Sequence, residues 1–172
     1  MKRRSWTLVC VLTLSVFTAC NKDENANSRY NQRDVQFVTK ASMSNFAEIT
    51  LGQLAADSAE NDAIAAYGAN MVSEHTAAQQ QLSTIASSLG ITITATLDQE
   101  HQLLRDSLLA LDSTAFDSLY IHRQIADHDN AIRFFNQESA HGLQKDIKAY
   151  VFQVLPMLTL HLQSATTLSA QF

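Results

Sequence analysis

Four residues with ligand or acid–base side chains fall on otherwise apolar helical stripes: Glu48, His75, His128 and His161. His75 stands in the series Ile64, Gly68, Met71, Ala78, Leu82, Ile85 and Leu89, in which steps of four and three alternate. That spacing puts every member on one side of an α-helix, so the imidazole is expected to point inward. His161 fills the gap in a second stripe of Ile147, Val151, Val154, Leu158, Ala165 and Leu168. Glu48 runs with Val38, Ala41, Leu51 and Ala55, and His128 with Phe116, Tyr120, Ala131 and Phe135. Counted from the ends of their segments, all four lie near mid-height. Three imidazoles and one carboxylate meeting in an apolar core suit one divalent transition-metal ion such as Zn, Fe or Cu, with the carboxylate balancing charge. Tyr120 and Asp127 are expected to support those ligands from behind. The same residues are also consistent with a metal-free polar network in which Glu48 satisfies one histidine.

Other chemical signals are weaker. Met71 and Met157 each precede a stripe histidine by four residues, a spacing that suits a copper thioether but more commonly core packing. Glu138-Ser139-Ala140-His141 has the Glu-x-x-His spacing of a di-iron ligand pair, yet it lies beside Gly142 and reads as a solvated helix end. Glu74, His122 and Asp129 fall on outward faces. His101 lies outside the four long segments. The chain has no glycine-rich phosphate loop, nucleophile elbow or cysteine-based zinc spacing, so no catalytic residue is assigned.

The elements that must position these side chains are helical. A first helix is expected from about Asn31 to Ser58, and a second from near Glu60 to Gly90, with Asp57-Ser58-Ala59-Glu60 or Asp62 at its start. Residues 91–96 alternate like a strand but have none to pair with, so they read as an extended linker. Thr96-Leu97-Asp98-Gln99 can cap a short helix carrying Leu104, Leu108 and Leu111. A third long helix should start at Ser113 or Thr114 and end at Gly142. A fourth should run from about Leu143 to Ala170, with a kink at Pro156. The four are of similar length, about 42 Å at 1.5 Å per residue. Two joints are short, whereas the Gly90–Asp112 connection can run the whole length of a bundle. The expected fold is all-α: a ferritin-like four-helix bundle with one long crossover bearing a short extra helix, with a simple up-down bundle as the competing arrangement.

The N-terminal residues read as a targeting segment. Lys2, Arg3 and Arg4 precede an apolar run from Trp6 to Phe17, too short to span a bilayer, and Phe17-Thr18-Ala19-Cys20 resembles a bacterial lipobox. Residues 1–19 are therefore expected to be removed as a lipoprotein signal and Cys20 to carry acyl chains such as palmitate. An ordinary cleaved signal is the alternative. The other cysteine, Cys10, lies in the signal, so no disulfide is expected. Residues 20–33 are polar and form a tether, and 34–172 form the bundle domain. Asn21 in place of Asp after Cys20 speaks against inner-membrane retention, and Lys22-Asp23-Glu24 is similar to acidic surface-export signals as well as to a plain solvated linker. Without its signal the chain carries nine basic against seventeen acidic residues, a net charge of −8. That balance excludes nucleic acid as a partner and leaves attachment to the lipid.

Glu48 with Leu51-Gly52-Gln53-Leu54-Ala55, Met71-Val72-Ser73-Glu74-His75, Phe116-Asp117-x-x-Tyr120 with His128, and Leu155-Pro156 with His161-Leu162 follow one another along the chain. In this order they resemble the domain-of-unknown-function 4142 family, over about Asp34 to Leu168. The resemblance implies a ferritin-like bundle and a periplasmic or outer-membrane location, and it brings no activity with it. With one inward carboxylate, the chain departs from the four carboxylates and paired Glu-x-x-His motifs of a di-iron enzyme. The expectation is a lipid-anchored, non-enzymatic envelope protein with a buried Glu/His cluster that holds one metal ion. Metal-dependent oxidation at the same cluster and a metal-free structural or stress-related module are the alternatives.

Overall fold

The computed structural model describes residues 29–172; the expected signal at 1–19, Cys20 and most of the expected tether lie outside them. Five helices follow in order: α1 (Gln32–Ser58), α2 (Asp62–Leu89), α3 (Gln99–Leu109), α4 (Ser113–His141) and α5 (Lys145–Ser169). Their ends have local causes. Asn31 and Asp34 form a reciprocal capping box at the start of α1, and Gly90 closes α2 with φ of 71°, a left-handed conformation that glycine adopts at no steric cost. The second helix starts slightly later than the Asp57–Glu60 box implies, with Asn61 as its cap. Asp98 caps α3, which buries Leu104 and Leu108 but ends before Leu111, leaving that side chain 39% exposed. Pro156 lies on the exposed face of α5, and the helix continues through it.

Packing decides the topology. α1 packs on α2, α4 on α5, α2 on α5 and α1 on α4, so α2 and α4 are diagonal partners. One end of the core holds Phe37, Leu82, Ile91, Phe135 and Ile147, and the other holds Leu51, Ile64, Leu108, Phe116 and Ala165. α2 and α4 therefore run parallel, and residues 90–112 return along the outside of the bundle. This is the single-crossover, ferritin-like arrangement and not the up-down one. α3 lies over the α1–α4 seam, where Arg123 reaches Glu100 at 2.6 Å and His101 lies 3.9 Å from Asp127.

Each hairpin's turn is held by the other hairpin. The Asp34 carboxylate of α1 accepts the backbone N–H groups of Leu143 and Gln144 in the α4–α5 turn, at 3.0 and 3.2 Å. Asp117 of α4 accepts those of Glu60 and Asn61 in the α1–α2 turn, at 3.2 and 2.8 Å. Both aspartates are buried, and the amides they bind would otherwise be unpaired.

Within the first hairpin, Gly52 and Gly68 let the backbones touch. A Cβ on Gly68 would sit 2.6 Å from the Gly52 carbonyl oxygen and 2.8 Å from the Ala55 Cβ. Because backbone cannot yield as a flexible side chain does, Gly68→Ala should destabilise the bundle by about 1–3 kcal/mol despite alanine's better helix propensity. Chemical denaturation of the two proteins, compared at equal m-value, measures this difference.

Candidate metal centre

The four long helices each carry one inward polar residue into the middle of the bundle, where Glu48, His75, His128 and His161 are all buried. Of these, the structure brings the three histidines together. One ring nitrogen of each lies within 4.8 Å of one ring nitrogen of both others, and the ring centroids are 5.1 to 5.8 Å apart.

The hydrogen-bond partners fix where the imidazole hydrogens sit. His128 Nδ1 is 2.9 Å from the Gln124 carbonyl oxygen, which only accepts, so Nδ1 carries the hydrogen and Nε2 is bare. His161 Nε2 is 2.7 Å from the Glu74 carboxylate, so Nε2–H donates and Nδ1 is bare. His75 Nδ1 faces Asn45 Oδ1 at 3.0 Å. The amide of Asn45 is oriented in turn, because its Nδ2 contacts the Gln79 carbonyl Oε1 at 3.3 Å and the Tyr150 hydroxyl at 3.1 Å. His75 Nδ1–H therefore donates, and Nε2 is buried without a partner among the described residues.

Three hydrogen-free nitrogens thus face a common point. His128 Nε2 and His161 Nδ1 stand 3.1 Å apart, lone pair toward lone pair. In a neutral core that approach is repulsive, and either a proton or a cation between the rings removes the repulsion. Burial works against the proton. It lowers the pKa of His128 to about 4, that of His75 well below the ordinary value, and that of His161 in the same direction, with neighbouring imidazoles adding to the shift in the last two. Two tetrahedral ligands of one Zn ion lie about 3.3 Å apart for Zn–N bonds of 2.0–2.1 Å, close to the observed spacing. The donor set fits a borderline transition metal, which neutral imidazole binds without displacing a proton at pH 7.

A family model for the domain of unknown function DUF4142 matches residues 20–168. The chain belongs to the DUF4142 family. A solved structure, a DUF305 fragment from Deinococcus radiodurans, superposes on this DUF4142 protein with a TM-score of 0.74 at 10% identity. The match covers 83% of this chain and 99% of that one, and it is a likeness of fold. No curated protein matches.

Glu48 does not join the three histidines of this DUF4142 chain. It stands behind His128, with Oε1 3.9 Å from Nδ1, and Oε2 accepts from Gln124 Nε2 at 2.8 Å. Gln124 Oε1 in turn accepts from the Tyr67 hydroxyl at 3.2 Å. Burial raises the Glu48 pKa, and the Gln124 hydrogen bond opposes that rise. A carboxylate at this distance favours the hydrogen on Nδ1 and makes Nε2 a better donor to a metal.

The residues that orient the histidines also differ from the expected Tyr120 and Asp127. The Tyr120 hydroxyl is buried with no hydrogen-bond partner among the described residues. Asp127 turns away to Arg123 and His101, and burial with the nearby Glu48 charge raises its pKa to about 6. Asn45, the backbone carbonyl of Gln124 and Glu74 do the orienting. Asn45 was legible, since it continues the Ala41–Glu48 stripe, and the Gln124 carbonyl is the acceptor one helical turn before His128 that any residue at that position offers. Glu74 is half-exposed, as an outward position requires, but its carboxylate reaches across to α5. Met71 is packed in the lower core, and Met157 borders the upper one. His122 is exposed and bonds the Ser118 carbonyl, Asp129 pairs with Arg133, and His101 bonds Asp98 at the start of α3.

Glu138 corrects another expectation. It is not a solvated helix end but a buried residue, folded against Gly142 so closely that a Cβ there would collide with its carboxyl group. No N–H or O–H donor among the described residues reaches its oxygens; in its neutral form it donates to Asp34. Burial and the Asp34 carboxylate hold its pKa up at about 7, against weaker pulls from Arg33 and Lys148. A folded-state pKa raised above the ordinary 4.5 means that Glu138 stabilises the fold fully below pH 4.5, and that this contribution is lost as pH rises through about 7. Glu138→Gln should remove that decline. Thermal unfolding at about pH 5 and about pH 8 should show the wild type losing melting temperature relative to the variant at the higher pH.

Proposed function

We propose that this DUF4142 protein is a lipid-anchored protein of the bacterial envelope that holds one divalent transition-metal ion on His75, His128 and His161. The observation that carries this reading is the convergence of three imidazole nitrogens, each on a ring whose other nitrogen faces an oxygen acceptor. A polar network built only for stability would place a hydrogen between His128 and His161 and a donor at His75 Nε2. Three neutral imidazoles favour Zn, Cu or Fe over Mg or Ca, and Glu48 and Glu74 supply negative charge outside the ligand set. When bound, such an ion supplies a Lewis acid with room for a further ligand. The three histidines are only 1 to 3% exposed as whole residues, which suits holding an ion more than processing a bulky substrate.

The envelope assignment rests on the sequence, through the basic start, the apolar run to Phe17 and the Phe17-Thr18-Ala19-Cys20 segment. An acyl anchor on Cys20 and the polar tether would suspend the bundle beside the membrane, to which its net negative charge gives it no affinity of its own. Cys20→Ser should move the protein from the membrane to the soluble fraction in cells fractionated by ultracentrifugation. Retention in the membrane would remove the anchor assignment.

The metal reading is tested on protein expressed without residues 1–20. After exposure to Zn(II), Cu(II) or Co(II) and desalting, elemental analysis should give about one equivalent of a single metal, and less than about a tenth of an equivalent of every metal would overturn it. Asn45→Ala, which leaves the three imidazoles in place and releases the orientation of His75, should weaken binding about 10–100-fold. Circular dichroism on the same sample shows whether that variant has kept its helices.

A further inference from the structure

The metal site sits at mid-bundle, and the seams between helices differ in how they close over it. The α1–α2 and α4–α5 faces are hairpin interfaces, the first with backbones in contact at Gly52 and Gly68. The α1–α4 seam is roofed by α3, through buried Leu104 and Leu108 and the Arg123–Glu100 pair. Among the described residues the α2–α5 seam has no such cover. Grooves of about 540, 300 and 360 Å³ succeed one another along it, lined throughout by side chains of α2 and α5.

The middle groove comes next to the site, because Glu74, which holds His161, is part of its lining with Ala77, Ala78 and Gln81 of α2 and Gln153 and Met157 of α5. The Glu74 side chain is 42% exposed, while the His161 ring that it holds at 2.7 Å is 4% exposed. One hydrogen bond therefore links a solvent-facing carboxylate to a buried ligand, and it bridges the seam from α2 to α5.

We infer that metal ions reach the three histidines through this α2–α5 groove, with Glu74 as the residue that attracts the cation and releases His161 to receive it. This rests on the metal-site reading above. The groove's volume of about 300 Å³ leaves room for a hydrated cation, and Glu74, the one charged residue in its lining, concentrates cations there. When the carboxylate turns toward the ion it lets go of His161 Nε2–H. The ring is then free to move toward the groove, and the bond re-forms once the ion has passed. No covalent bond is made and no proton leaves the protein, because all three ligand nitrogens are already bare. Glu74 is a positioning residue in this scheme, since its hydrogen bond lies on the opposite ring nitrogen from the ligand atom.

The test is stopped-flow uptake of Co(II) or Zn(II) by the metal-free bundle, with chelator-driven release measured alongside. Ala77→Trp fills the groove from an exposed position and should slow uptake and release by the same factor, about tenfold or more, leaving Kd unchanged. Ala126→Trp, on the exposed face of α4, should slow neither. Glu74→Gln keeps an acceptor for His161 but removes the charge. It should lower the uptake rate about tenfold at low salt and flatten its dependence on ionic strength. Wild-type rates in Ala77→Trp, equal slowing in Ala126→Trp, or an unchanged salt dependence in Glu74→Gln would each overturn the route. If wild-type protein binds metal and any of these results appears, only the route falls. If wild-type protein binds none, the metal site itself falls, and the route with it.

Discussion

A nitrogen lone pair buried in a low-dielectric core costs free energy unless something electropositive faces it, and this bundle brings three such lone pairs to one point. The surrounding polar residues make sense as consequences of that constraint. The Gln124 carbonyl, Asn45 and Glu74 each take the one hydrogen that a neutral imidazole has to give, and each comes from a different helix. The orientation extends outward by further steps, in which Gln79 and Tyr150 fix the Asn45 amide and Ser42 accepts from Gln79; the Gln124 side chain, separate from the backbone carbonyl that holds His128, binds Glu48 and Tyr67. A core so committed to hydrogen-bond direction is rigid where the histidines sit.

That rigidity needs a frame whose helices cannot slide. An axial shift of about 1.5 Å, one residue of rise, would separate the three rings. Asp34 and Asp117 oppose such a shift at opposite ends of the bundle, each gripping the turn of the other hairpin through two backbone amides. The Gly52–Gly68 contact sets the spacing within the first hairpin. At Glu138 the frame contains an opposed pair, two carboxyl groups at the end where Asp34 works. Its cost is confined to pH values at which both are ionised.

The exterior divides along the same lines. The long crossover that makes the fold ferritin-like also roofs one seam with α3, and the opposite seam is left grooved. Glu74 crosses that second seam to His161, beside the Tyr67 hydroxyl and the buried core that Ala78 and Leu82 share with Val151 and Val154, whereas α3 covers the first with two buried leucines and ion pairs.

Sequence by itself determined the helices to within a few residues at their ends, and the inward placement of Glu48, His75, His128 and His161, because helical periodicity is a local property of the chain. It also placed Asn45 and Gln124 on inner faces, although their polar type on an apolar stripe passed unremarked. Tertiary structure alone decided that Glu48 lies behind His128 and not beside the other ligands, that Asp127 turns toward α3, and that Glu74 crosses the α2–α5 seam. It likewise decided that Glu138 is buried against the neighbouring turn. Periodicity fixes the side of a helix on which a residue lies, but the height at which four separate rods are set, and the reach of a side chain across the gap between two of them, depend on contacts between residues far apart in the chain.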